Sequence, residues 1–140
     1  VEEWWRNLIA GVAGVRFHRP TAGIGLNDKA KACIGATGKI EEIVQFRNVN
    51  PAMDLLSGRD FDEAYLAANP GKEYILYFSH QGAGSVGLNL KKYKGDAFKI
   101  YWVNIDTGEW GPEARIKGGR IQIIDRPDDS AHWPAAIVSI

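Results

Sequence analysis

Arg16, His18 and Arg19 stand close together just before Pro20 and a loop that carries Gly23 and Gly25. Two guanidinium groups and an imidazole at the end of a short strand offer many hydrogen-bond donors. They suit either an oxygen-rich ligand or a set of structural hydrogen bonds and ion pairs. The carboxylates Asp28, Asp54, Asp60, Asp62 and Glu63 are scattered. Cleavage by paired carboxylates needs two of them roughly 5–9 Å apart, and no motif here sets such a pair, so no catalytic residue is assigned. The run Asp125-Arg-Pro-Asp-Asp129 gathers oxygen ligands that calcium could use, but it lacks EF-hand spacing and reads as a surface turn. His18, His80 and His132 are too widely spaced for a zinc motif. With no Gly-x-Ser-x-Gly elbow, P-loop or dinucleotide fingerprint, the expectation is no metal and no cofactor.

The aromatic residues divide by position. An exposed Trp or Tyr offers a flat apolar platform to the face of a pyranose ring. Tyr101 points away from the predicted core face of its strand, and Trp110 follows a turn, so both are candidate substrate-binding residues beside Arg16, His18 and Arg19. The competing reading is packing, because Trp is largely buried on average. Trp102 belongs to the predicted core and Trp133 is expected to be half-buried. Trp4 and Trp5 should pack the first helix onto a neighbour, which makes the N-terminal helices a candidate homo-oligomer contact.

Short strands separated by turn signals position these groups. Val86, Leu88 and Leu90 alternate with Gly87 and Asn89; Phe98, Ile100 and Trp102 alternate with Lys99, Tyr101 and Val103. Asp106-Thr-Gly108 and Gly118-Gly119 turn the chain, and Gly82-Ala-Gly84 reads as a hairpin loop. With Glu63–Ala68, Glu73–Ser79, Arg120–Ile124 and Trp133–Ile140, the count is about seven strands, a mainly β antiparallel sandwich over residues 63–140. Ahead of it, Glu2 to Gly14 reads as a helix with an apolar stripe of Trp5, Leu8, Ile9 and Val12. Val15 to His18 reads as a strand. Asn27 caps a second helix running to about Phe46, with Ala30, Cys33, Ile40, Ile43 and Val44 on one side. Residues 1–50 thus form a helix-strand-helix segment, and residues 51–62 a linker held by Met53, Leu55 and Leu56.

Composition narrows the partners. Lys plus Arg and Asp plus Glu number 17 each, which gives no bulk attraction to nucleic acid or anionic lipid. No apolar run approaches the roughly 18 residues of a membrane span. Cys33 is alone, so no internal disulfide forms.

Two stretches carry a family resemblance: Ala13-Gly-Val-Arg-Phe-His-Arg-Pro20, and Pro70-Gly-Lys-Glu-Tyr74 with Tyr101-Trp-Val-Asn-Ile-Asp-Thr-Gly-Glu-Trp-Gly111. Their order resembles the C-terminal region of apiosidase-like bacterial glycoside hydrolases, a (β/α)8 barrel followed by a β-sandwich catalogued as a collagen-binding domain. The resemblance implies that residues 1–50 correspond to the end of a barrel whose other strands, with the catalytic carboxylates, lie upstream. It implies a non-catalytic accessory or scaffold portion, with carbohydrate or a missing barrel domain as partner, and an extracellular or periplasmic location. At the barrel's strand ends, Arg16, His18 and Arg19 would bind sugar hydroxyls or an acidic sugar. Two alternatives stay open: an adhesive module for polysaccharide or a matrix protein such as collagen, and a complete enzyme formed across an oligomer interface.

Overall fold

The structure, a computed structural model, describes residues 1–12, 27–60, 63–79, 84–129 and 131–140. Two helices, α1 (Glu2–Ile9) and α2 (Asp28–Ile43), precede the strands β1 (Asn50–Pro51), β2 (Leu56–Ser57), β3 (Ala64–Asn69), β4 (Glu73–Phe78), β5 (Ser85–Asn89), β6 (Ala97–Val103), β7 (Trp110–Lys117), β8 (Ile121–Asp125) and β9 (Trp133–Ser139). All pairings are antiparallel, in a six-stranded sheet of order β1-β3-β4-β9-β6-β7 and a three-stranded sheet of order β2-β5-β8. The mainly β sandwich read from the sequence is present. The segment Val15 to His18 lies outside the described residues.

Alternation sorts the side chains into two cores. Leu66, Tyr74, Leu76, Phe78, Phe98, Ile100, Trp102, Trp133 and Ile137 face Val86, Leu88, Leu90 and Ile124 of the smaller sheet. The alternate residues of the same strands, Ala67, Ile75, Tyr77, Val103 and Ala136, face Trp5 and Ile9 of α1 and Cys33, Ala36 and Ile40 of α2. The six-stranded sheet is therefore the middle of three layers. This explains why β4, Glu-Tyr-Ile-Leu-Tyr-Phe, shows no polar alternation: apart from Glu73 it is buried on both faces.

The helices form where their sequence allows. The Asn27 side chain accepts the Ala30 N–H at 2.8 Å and starts α2. α1 stops at Ile9, short of the expected Gly14; Gly11 takes φ +78°, a left-handed conformation in which glycine ends a helix without strain. Val12 is consequently exposed instead of completing the stripe. The Trp4 indole donates to Thr37 Oγ1 at 2.9 Å, tying α1 to α2. Trp5 is fully buried and stacks on Tyr77, ring centroids 5.7 Å apart and 15° from parallel.

Two connections differ from the expected form. The link from β4 to β5, read as a hairpin, crosses between sheets: β4 pairs with β3 and β9, while β5 pairs with β2 and β8. Turn residues mark a reversal but not which sheet the next strand joins. Residues 51–62 were expected to be a linker, yet they add Pro51 to β1 and the pair Leu56–Ser57 to β5, one short strand at an edge of each sheet. Trp133 is buried rather than half-buried, with its ring edge-on to Trp102.

Two predictions follow from the helix-covered core. Trp5→Ala should destabilise the fold by about 3–5 kcal/mol, the usual cost of emptying a large aromatic site; urea unfolding followed by circular dichroism measures it, and a loss below about 1 kcal/mol would contradict this packing. Burial raises the Cys33 thiol from 9.0 to about 11 and also pushes the Tyr77 hydroxyl up. Both groups hold their protons more tightly in the folded chain; the Cys33 contribution is complete below about pH 9 and falls as pH rises toward 11, and that of Tyr77 begins to fall only above pH 10.0. The thermal midpoint should decline over that window, and iodoacetamide should alkylate Cys33 only as fast as the chain unfolds.

Candidate functional site

Tyr101 and Trp110, singled out separately in the sequence, come together. An Asn-Ile-Asp-Thr-Gly turn delivers the second of them: Asn104 Oδ1 accepts the backbone N–H groups of Asp106 at 2.9 Å and Thr107 at 3.2 Å. Gly108 then adopts φ +73° and donates its N–H to the Asn104 carbonyl at 2.8 Å. The strands β6 and β7 leave this turn with Tyr101 opposite Glu113, and their register shifts between Tyr101 and Val103, which sets Trp110 opposite Val103. Ring centroids of Tyr101 and Trp110 lie 6.3 Å apart at 64°, an edge-to-face pair.

Cations cover both rings. Lys39 of α2 places its Nζ 5.3 Å from the Trp110 centroid, and Lys99 places its own 4.6 Å from that of Tyr101. Lys99 Nζ also bonds Glu113 Oε2 at 2.7 Å. The hydrogen bond to Glu113, helped by that to Tyr101, raises the Lys99 pKa. The ammonium over Tyr101 takes the position a sugar face would need. Trp110 keeps 41% of its surface exposed, the most of any aromatic among the described residues. Lys39 lies over its ring and Tyr101 stands edge-on beside it, so only the remaining exposed ring surface is open to a ligand. Lys39, Lys99 and Glu113 were not singled out in the sequence. Lys99 is legible there as the i−2 neighbour of Tyr101 on one strand face; Lys39 and Glu113 arrive through tertiary packing and strand pairing, which spacing does not encode.

Arg16, His18 and Arg19 lie outside the described residues. His132 belongs to a packing stack: its Nδ1 lies 2.7 Å from the Tyr77 hydroxyl and its ring is 2° from parallel with that of Tyr77. The Asp125–Asp129 run is closed by Arg126, which donates to Asp129 Oδ1 at 2.6 Å and to the Ser79 carbonyl at 3.3 Å. Asp128 accepts the Trp133 indole N–H at 3.2 Å. No cluster of three metal-ligating side chains occurs among the described residues. A concavity of about 570 Å³ opens elsewhere, between β1 and the β5–β6 turn, and Asp54 is its one carboxylate.

Glu113→Gln should lower the Lys99 pKa toward the ordinary lysine range, read by NMR titration of the side-chain amine. An unchanged value would show that Glu113 is not what holds it up.

No family model matches the chain, and no curated protein does. Solved structures do. One, described as a glycoside hydrolase, superposes on 87% of the chain with a TM-score of 0.62 at 12% identity, using 30% of its own length. A glycoside hydrolase family 5 protein from Bacteroides vulgatus superposes on 79% with a TM-score of 0.54 at 13% identity, using 24% of its length. The chain spans less than a third of either protein, and what it shares with that part of each is the fold.

Proposed function

We propose that this chain is a non-catalytic accessory portion of a glycoside-hydrolase-like protein: a β-sandwich with its helix layer that packs beside a barrel and helps hold carbohydrate. The observation that carries the reading is that 87% of the chain overlays less than a third of a glycoside hydrolase. Chemistry supports it. The exposed ring of Trp110 supplies the apolar platform that a pyranose face requires. Arg16, His18 and Arg19 belong to the proposal as donors to sugar oxygens. An adhesive module for polysaccharide or collagen finds less support, since it calls for a row of exposed aromatics, and among the described residues Tyr101 is the aromatic neighbour of Trp110.

The test pairs turnover with retention. Incubated with aryl glycosides and polysaccharides, the chain should release no sugar above background. In native gels cast with soluble polysaccharides it should be retarded by at least one of them. Trp110→Ala should weaken that retention about fivefold, the equivalent of roughly 1 kcal/mol of aromatic contact. Turnover that disappears on substitution of a single carboxylate would overturn the accessory reading. Absence of retention by every polysaccharide would remove the carbohydrate role.

A further inference from the structure

None of the residues that line the concavity of about 570 Å³ is a substrate-binding candidate read from the sequence. Its walls come from three places, one of them Ala68 and Pro70 at the end of β3. Asn50 and Asp54 stand on β1 and the short 3-10 turn Met53–Leu55; Asn89, Lys91, Lys92 and Tyr93 stand at the end of β5 and on the turn that follows. Its volume falls within the range of small-molecule sites, about 300–1,000 Å³, and is ample for two or three pyranose rings.

The site is built before any ligand arrives. The Leu66 carbonyl accepts the Ala52 N–H at 2.9 Å, and the Ala52 carbonyl accepts that of Leu55 at 3.1 Å, which pins the first wall to β3. On the second wall the Tyr93 ring is edge-on to Phe98, with centroids 6.4 Å apart. Gly71, at φ +84°, leaves that ring the space which any Cβ there would occupy. The Leu90 carbonyl accepts the Tyr93 N–H at 3.0 Å, and Asn89 Oδ1 accepts the Lys91 N–H at 3.1 Å, closing the turn. The charged groups are left for a guest: among the described residues Lys91, Lys92 and Asp54 form no ion pair.

We infer that this concavity binds an anionic oligosaccharide, one whose sugars carry uronate carboxylates. Lys91 and Lys92 face the carboxylates, and Asn50, Asn89 and Asp54 exchange hydrogen bonds with ring hydroxyls. Tyr93, Leu55 and the flanking prolines Pro51 and Pro70 meet the apolar ring faces. Two ammoniums against one carboxylate leave the wall net positive, which favours an acidic chain over a neutral one. The inference rests on the carbohydrate-holding reading above and adds to it a second site and a ligand class. The Trp110 platform takes the ring face of a neutral sugar; the concavity reads charge as well as hydroxyls.

Isothermal titration of the chain with trigalacturonate, with neutral cellotriose and with sodium sulfate separates the outcomes. The expected result is saturable binding of trigalacturonate, weakened at least tenfold by the double substitution Lys91→Gln, Lys92→Gln and several-fold by Asn50→Ala. It should fall further as salt is raised. Lys94→Gln, on the same turn but outside the wall, should leave it unchanged, and circular dichroism should show all variants folded. Sulfate binding as tightly as the trisaccharide would overturn the inference, because the site would then read charge alone. So would trigalacturonate binding that survives the lysine double substitution, or no trigalacturonate binding at all. If cellotriose still binds through Trp110 in that last case, the accessory carbohydrate reading stands and this inference alone falls.

Discussion

The middle of the large sheet, β4 from Tyr74 onward and β9 from Trp133 to Ile137, is sealed on both faces, and the rest of the molecule follows from that. A sheet flanked on one side by a smaller sheet cannot leave Ile75, Tyr77 and Ala136 open on the other. Each large apolar side chain exposed there forfeits about 1.5–3 kcal/mol. The helices are the cover. Trp5 is the group that fits them to the sheet, with its ring laid flat against Tyr77 and its neighbour Trp4 bonded across to Thr37. The fit has one cost: the buried Trp5 indole N–H meets no oxygen acceptor among the described residues, and its partner is the weakly accepting Cys33 sulfur. Losing a buried donor's partner costs about 1–3 kcal/mol, less than emptying the site would.

The outer strands are handled differently. The large sheet ends at β1 and β7, and each carries a proline, Pro51 and Pro112. Proline removes a backbone donor from an edge and so blocks a further strand from pairing. The small sheet has no such device on β8, where Ile121 and Ile123 stay exposed beside Gly87. Gly87 keeps that face low: a Cβ there would press on Ser57 Oγ and on the Ile121 methyl, at 2.5 and 2.8 Å. The three layers thus differ in accessibility, with the helix side closed and the loop ends of the sandwich open.

What was legible in the sequence follows the same division. Phe98, Ile100 and Trp102 alternate cleanly and were placed correctly in the core, because the opposite face of β6 keeps Lys99 and Tyr101 partly in water. The N-cap at Asn27 was legible because its physics is local. β4 announced itself as a strand but not as a doubly covered one, since a continuous apolar run looks alike in either setting. The crossing from β4 to β5 was misread as a hairpin because pairing partners are chosen by the tertiary fold. For the candidate sites the limit is sharper. The Tyr101–Trp110 pair was visible as two separate residues, while Lys39, which caps Trp110, sits 71 positions earlier on a helix. The walls of the concavity are split among positions 50–55, 68–70 and 89–93, which no single motif spans.

Net charge misleads for a related reason. Equal totals of 17 acidic and 17 basic residues say that the chain as a whole attracts nothing strongly. At physiological salt, however, a charge acts over about 8 Å, so a ligand entering a cleft meets only the groups within that radius. The turn after β5 concentrates Lys91, Lys92 and Lys94 within four positions, and two of them open onto a concavity whose one acid is Asp54. A neutral protein can therefore present a positive cleft.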